Sequence, residues 1–499
     1  MKKLNYIFYS TACSTACLGA VFSGCKKTTA DVKHPNVLFI CVDDFRPEAG
    51  CYEGKQYIKT PNLDRLAAAG VGFSEHYCCV PTSGASRYAL LTGRYPQNRK
   101  AINNEACYNF ISGKPQTPEP ETFIHHLRRN GYYTVGVGKI SHSADGYVYG
   151  YNEPRSDSLE LPHSWDEMLF NADKWQTGWN AFFAYADGTN RQGRKNQVPP
   201  YECGDVDDNG YPDGLTAEIA LRKLEQLSHQ DKPFFLGVGF FKPHLPFNAP
   251  KKYWDMYDEA SLPLTPTPDL PLNVNRESLH PSSEFGSYKA GDEDAGLDAP
   301  VSNEYARKLK HAYFACVSYT DAQIGKLLNK LDALGLTENT IVIVWGDHGW
   351  HLGDFRVWGK HTLFDWSLRS SLIISAPQHK GRGICNATVS TVDLYPTVLA
   401  LCGVAAPASL TLDGSSLTPQ LDSPATKTVK PAYGFFKQGI TVRTDRYRLT
   451  KYFRNAQPVI ELYDHETDPF ETQNIAAAHL QTVTQLMPLL DKGDTGLYD

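Results

Sequence analysis

The chain has 499 residues, more than one hydrophobic core usually serves, so a large domain with a smaller companion is expected. Hydrophobic residues make up 41% and charged residues 21%, the balance of a globular protein and not of a disordered or fibrous one. A net charge of −6 argues against nucleic acid or an anionic membrane surface as a partner, while leaving room for a local cationic cluster that holds a small anion.

The N-terminus reads as a processing segment. Lys2 and Lys3 precede an apolar, small-residue stretch that ends Val21-Phe22-Ser23-Gly24-Cys25. This resembles a bacterial lipoprotein signal, cleaved before Cys25 with a lipid placed on that cysteine. Residues 1–24 are expected to be a signal peptide and 25–33 a tether, with the protein exported and held by a lipid anchor, periplasmic or at the outer membrane. No later apolar run approaches the ~18–20 residues of a membrane span. Of the twelve cysteines, Cys13, Cys17 and Cys25 belong to this segment. The rest show no CxxC pair and no zinc spacing, and their odd number leaves at least one thiol free. Cys41 and Cys316 are expected to be buried.

The run "NVLFICVDD" (36–44) is continuously apolar and ends in two aspartates, as suits a strand covered on both faces of a parallel sheet. "TPNLDRLAAAG" follows as a helix between Pro61 and Gly70. "VPTSGASRYALLTGRYP" (80–96) reads as a helix ending at Gly93, with Ser83 as a good starting residue. "ETFIHHLRRNGY" is a helix and "YTVGVGK" a strand ending at Lys139; "LTAEIALRKLEQL" is a helix and "PFFLGVGFF" a strand. A long helix runs from about Tyr305 to Leu334, then "NTIVIVWGDHG" forms a strand ending at Asp347 and His348. "SLIISAP" and the helix "TVDLYPTVLALCG" close the pattern. This alternation predicts an α/β fold with a large, mostly parallel sheet flanked by helices. Stretches 153–213 and 262–300 are too rich in Pro and Gly and too long for simple connections, and are expected to be surface excursions around a site. After about Ala425 the pattern turns to short antiparallel strands, a smaller C-terminal α+β unit. The expected organisation is one main domain over 34–425 and a C-terminal subdomain over 426–499.

Ligands of open α/β sheets bind outside the carboxyl ends of the strands. Asp43 and Asp44, Lys139, Lys242 with His244, and Asp347 with His348 all fall at such ends. Adjacent buried aspartates need a counter-charge, and oxygen-rich sites suit calcium or magnesium, so Asp43, Asp44 and Asp347, with His348 nearby, form a candidate hard-metal site. Ser83 and Arg87 stand at i and i+4 and face the same way. A helix start with an arginine fork behind it is suited to an anion.

Here the residues carry a family resemblance. Ser83-Gly84-Ala85-Ser86-Arg87, followed by Leu91-Thr92-Gly93-Arg94, resembles the signature of type I sulfatases of the alkaline-phosphatase superfamily. The common form is Cys-x-Pro-Ser-Arg; serine first and alanine third match the serine-type bacterial version. Cys78 and Cys79 do not fit, because Ser83 stands four residues after Cys79, where the signature needs arginine. "VDDFRPEAGCYEG", "GKISH", "KPHLPF", "SYTDAQIGKLL", "GDHGWHLGD", "WGKHTLFD" and "ELYDHETDPFETQN" occur in the family's order and look most like the iduronate-2-sulfatase branch.

The resemblance implies that a maturation enzyme oxidises Ser83 to formylglycine (3-oxoalanine), hydrated to a geminal diol. One hydroxyl attacks sulfur, and the second expels sulfate and restores the aldehyde, an exit an unmodified serine lacks. It implies calcium on Asp43, Asp44, Asp347 and His348, completed by modified Ser83, with Arg87 holding the modified side chain. Lys139, His142, His244 and Lys360 would surround the sulfate. His244 or Lys360 would protonate the leaving oxygen, and His142 would assist the second step. Arg46 and Lys242 are candidates for holding the sugar. The implied substrate is a sulfated oligosaccharide with a 2-O-sulfated uronic acid at its non-reducing end. Two other readings are a phosphodiesterase or phosphonate hydrolase of the same superfamily, and a non-catalytic glycan-binding relic. A binuclear enzyme of the first kind needs a second Asp/His cluster, which the sequence does not assemble.

Overall fold

The computed structural model describes residues 34–498 apart from 120, 429, 455 and 456. The expected signal peptide, tether and lipidated Cys25 lie outside the described residues.

Eight strands form the main sheet: β1 (Asn36–Val42), β2 (Val71–Phe73), β3 (Tyr133–Gly138), β4 (Glu167–Leu169), β5 (Phe234–Phe240), β6 (Thr340–Gly346), β7 (Leu372–Ser375) and β8 (Gly383–Cys385). Their order is β8-β2-β7-β6-β1-β5-β3-β4, and β7 alone runs against the rest. Every residue of β1, β5 and β6 is buried, which explains their unbroken apolar runs. Leu38, Ile40 and Val42 of β1 enter one core with the helices α1 (Pro61–Ala69), α4 (Pro212–Leu227) and α5 (Asn303–Ala333). Val37, Phe39 and Cys41 enter the other with α3 (Phe123–Arg129) and α6 (Leu394–Leu401), the alternation a pleat demands. α2 (Ser83–Thr92) stops at Gly93, whose φ of 66° is left-handed, as a helix C-terminus favours. The long helix α5 starts on Ser302, whose hydroxyl accepts from the Tyr305 amide, and its Asp321 accepts from the Asn62 and Leu63 amides at the start of α1.

The register of the central strands builds the site. Val42 pairs with Phe240 on one side and Gly346 on the other, and Gly138 pairs with Gly239. The chain ends that follow, at Asp43, Lys139, the Phe241–His244 turn and Asp347, therefore emerge side by side. Gly138 and Gly239 make this approach possible. Gly138 has a φ of 74°, and a Cβ on Gly239 would lie 2.0 Å from the Lys139 carbonyl oxygen.

The C-terminal segment forms an antiparallel sheet, β9 (Ala432–Phe436), β10 (Gly439–Arg443), β11 (Tyr447–Tyr452) and β12 (Val459–Asp464), followed by α7 (Leu480–Lys492). Phe435, Ile440 and Leu449 of this sheet pack with Ala85 and Ala89, the back of α2. Beneath it lies a buried ion pair, Arg448 with Glu471, which His465 also contacts at 3.0 Å.

The excursion 153–213 is more than surface. It supplies β4, an edge strand, and a short helix, Gly178–Phe182, whose Trp179 and Phe182 are buried. All nine described cysteines are free thiols, with Cys41 and Cys316 buried as expected.

Candidate active site

Ser83 is the first residue of α2 and not its cap. Thr82 stands at the cap position, and its side chain makes no capping bond. The Ser83 hydroxyl turns into the site, 2.9 Å from Asp43 Oδ1 and 2.9 Å from His348 Nε2. Gly84 lets the helix start this close to the neighbouring chain, since a Cβ there would meet the Asn104 carbonyl oxygen at 2.1 Å.

Three fully buried aspartates share three cations, and Arg87 Nη2 also lies 3.6 Å from Asp43 Oδ1. Asp43 pairs with Lys139. Asp44 Oδ1 accepts from Lys360 Nζ at 2.9 Å. Asp347 Oδ2 faces Arg87 Nε at 3.1 Å and Nη2 at 3.0 Å. Arg87 is fully buried too, and its Nη1 donates to the Lys139 and Ile140 carbonyls at 2.7 and 3.2 Å, which ties α2 to the end of β3.

Neutralisation is uneven. Burial pushes Asp43 up, but Lys139 and Arg87 outweigh it and hold this carboxyl well below the usual range. Burial raises Asp44 well above its ordinary value against the pull of Lys360, and raises Asp347 to about 7, with Asp43 adding to it. Asp44 Oδ2 is buried without a hydrogen-bond partner. His348 Nδ1 lies 3.0 Å from the Gly349 carbonyl, which fixes its proton there and leaves the Nε2 lone pair aimed at Ser83 and the aspartates. Ligand atoms of Asp43, Asp44, Asp347 and His348 lie within 4.8 Å of one another. Three carboxylates, one free imidazole nitrogen and an orphaned buried oxygen suit a hard divalent cation.

Around this cage stand the other expected groups. His244 Nδ1 lies 2.6 Å from the Leu245 carbonyl, so its Nε2 faces the site. Burial and then Lys360 push this imidazole down to about 4, and Glu284 opposes them. With Nδ1–H on Leu245, the 3.0 Å contact between Nε2 and Glu284 Oε1 closes only with a proton between them. His142 Nδ1 is buried without a partner, its ring 5.4 Å from that of Trp179. Burial and Lys139 hold this ring neutral. Lys139 Nζ lies 4.2 Å over the Phe182 ring, and Lys360 Nζ 5.2 Å over that of Trp350.

Two sequence-predicted residues are placed otherwise. Lys242 Nζ is buried and donates to the His244 and Pro246 carbonyls at 3.0 and 2.5 Å, holding the turn that carries His244. Arg46 is buried against Asp354 at 2.9 Å, Glu48 at 3.0 Å and the Trp366 ring at 4.4 Å. Both cations therefore have partners within the protein rather than standing free for a sugar. Sequence reasoning missed Glu284, which contacts His244 and Lys360 from the excursion 262–300. It also missed the aromatic wall of Trp179 and Phe182. Neither has a motif or a periodicity to announce it.

An open α/β sheet with an acidic, metal-competent cage and a helix-borne serine at its strand ends defines the class. Residues 35–404 match the sulfatase family, and residues 353–492 match the family described as N-sulphoglucosamine sulphohydrolase, C-terminal. The chain belongs to the sulfatase family. It is 31% identical over 349 residues to iduronate 2-sulfatase of Mus musculus, covering 68% of this chain and 59% of that protein. Among solved structures, a phosphonate monoester hydrolase from Silicibacter pomeroyi superposes with a TM-score of 0.72 at 24% identity, covering 92% of this chain and 94% of that one. A 2-O GAG sulfatase superposes with a TM-score of 0.64 at 21% identity, covering 92% and 91%. These two share the fold.

Proposed function

We propose that this protein is an exo-acting sulfatase that removes the 2-O-sulfate of a non-reducing-end uronic acid from glycosaminoglycan oligosaccharides, of heparan or heparin or of chondroitin or dermatan type. The observation that carries the proposal is the place of Ser83. Its oxygen touches both Asp43 and His348 in a buried cage ringed by Lys139, Arg87, Lys360 and His244. The 31% identity to an iduronate 2-sulfatase supports the choice of sugar.

Asp43, Asp44, Asp347 and His348, with residue 83, would hold calcium (magnesium suits the same oxygens), which would supply Lewis-acid activation and charge neutralisation; formylglycine at position 83, made by a serine-type maturation enzyme, would supply a nucleophile able to release sulfate. The chain's own residues do the rest. Arg87 fixes Asp347 and keeps α2 in register with Lys139. Lys139 and Lys360 are the cations a sulfate group meets, and they stabilise charge moving onto the leaving oxygen. His244 Nε2 or Lys360 Nζ gives the proton to the departing alcohol. His142, neutral in its buried setting, takes one in the second half. The aromatic wall of Trp179 and Phe182 keeps water from the cage.

Sulfate release from a 2-O-sulfated uronate-terminated disaccharide, by protein matured with a serine-type enzyme and supplied with calcium, tests this. Saturable release is expected. Release only from a 6-O-sulfated glucosamine overturns the choice of sugar. Hydrolysis of a phosphonate monoester without any sulfate release places the protein with the phosphonate hydrolases.

A further inference from the structure

One cation near the cage has no counter-charge. Arg191 lies in the excursion 153–213, and no acidic side chain among the described residues pairs with it. Its Nη1 makes one long bond, 3.3 Å to Ser287 Oγ, and its Nε is buried without a partner. The guanidinium is nevertheless held in place. Its Cζ lies 3.7 Å from the Phe183 ring centroid and 5.2 Å from that of Tyr288. A cation fixed between two aromatic faces is pre-organised and lacks only an anion.

This cation stands close to the cage. The Phe183 ring lies 6.3 Å from that of His244, so with Arg191 at 3.7 Å the guanidinium is within about 10 Å of that imidazole. Tyr151, an exposed ring, packs edge-on against Phe183 at 5.6 Å and Trp179 at 4.6 Å, continuing the wall to His142. Burial raises the Tyr288 phenol, and the charges of both Arg191 and Lys360 reach it and oppose that shift. Glu284, the acid on this side, is committed to His244 and Lys360.

We propose that Arg191 is a specificity-determining residue that binds the ring carboxylate of the uronic acid whose sulfate lies against Lys139 and Lys360; this rests on the substrate reading above. In a pyranuronate the C2 oxygen and the C5 carboxylate stand on opposite sides of the ring. One sugar therefore bridges the cage and Arg191, with Phe183 and Tyr151 along its length. The planar fork offers Nε and a terminal nitrogen to the two carboxylate oxygens. A neutral sugar sulfate leaves Arg191 without a partner, which turns one charge into a selection rule.

Calorimetric binding to the Ser83→Ala protein with calcium tests this, because no turnover intrudes. The probes are a 2-O-sulfated uronate-terminated disaccharide, its carboxyl-reduced twin, and glucosamine 2-N,6-O-disulfate. Each is measured with Arg191 intact and with Arg191→Met, which keeps an apolar stem between Phe183 and Tyr288. With Arg191 the uronate should bind about 10- to 100-fold more tightly than its twin, and with methionine the ratio should fall towards one. Arg191→Lys, with charge but no fork, should give an intermediate ratio. An unchanged ratio, equal loss of both ligands, or no uronate binding at all overturns the assignment. Dependence on Arg191 confined to the disulfated hexosamine also overturns it, in favour of a second sulfate. Hydrolysis of 4-nitrophenyl sulfate by matured wild-type protein is followed in parallel. Its absence overturns the sulfatase reading, while the affinity ratio still decides Arg191.

Discussion

Replacing Arg87 with methionine removes the arginine that locks the acidic cage. Arg87 is fully buried, holds Asp347 at 3.0 and 3.1 Å, and fills two carbonyls of the Lys139–Ile140 segment. Burial already raises Asp347 to about 7 with the arginine in place. Breaking a buried pair by deleting one partner costs about 3–5 kcal/mol, because the remaining charge stays desolvated. With about 2 cal/mol/K of unfolding entropy per residue, a chain this long loses about 1 °C of Tm per kcal/mol. Arg87→Met should therefore melt about 3–5 °C below wild type in EDTA by differential scanning fluorimetry. Calcium should recover part of the loss, since an ion bound only by the folded state replaces the missing counter-charge. A Tm within about 1 °C of wild type in EDTA would refute the view that Arg87 is the clamp.

Lys242→Met should lower stability by about 1–3 kcal/mol, as two buried carbonyls lose their donor, and should reduce kcat/KM alike for uronate and aryl sulfates; a loss confined to uronate substrates would restore Lys242 as a sugar ligand. Gly84→Ala should destabilise by about 2 kcal/mol or more in urea titrations, because its methyl meets the Asn104 carbonyl, and an unchanged midpoint would contradict the close approach. His76 gives a pH dependence. Burial pushes its imidazole down to about 4 against the favourable Ser370 carbonyl. The unfolded chain therefore takes up the proton first on acidification. The contribution is full above about pH 6.5 and is lost as pH falls from there towards 4, by up to about 3 kcal/mol. Urea midpoints of wild type and His76→Gln should shift relative to each other across that window, and parallel curves would refute it.

Much of the site is legible because the strands that make it are unmistakable. Apolar runs that stop dead at Asp43-Asp44 and Asp347-His348 can only be central strands with polar ends, and parallel register then brings those ends together. Ser83 and Arg87 are legible through i, i+4 spacing. Ser83 does start the helix, as its first residue, while the cap position falls on Thr82, because serine and threonine are nearly equal as caps and the chain offers both in succession. Arg46 and Lys242 read as free charges in the sequence because a sequence lists charges without their partners, and both have partners inside the fold. Glu284, Trp179 and Arg191 were missed for the opposite reason: they lie in excursions with no period and no motif, and only tertiary packing gives them a neighbourhood.

The central claim is that Ser83 is the site of the activated nucleophile. The most direct measurement is the mass of the tryptic peptide Leu66–Arg87 from protein made with a serine-type maturation enzyme. Oxidation of the serine removes two hydrogens, a loss of about 2 Da, and the account predicts that loss at Ser83 together with sulfate release. An intact serine in protein that nevertheless releases sulfate would contradict it, and would move the nucleophile elsewhere in the cage.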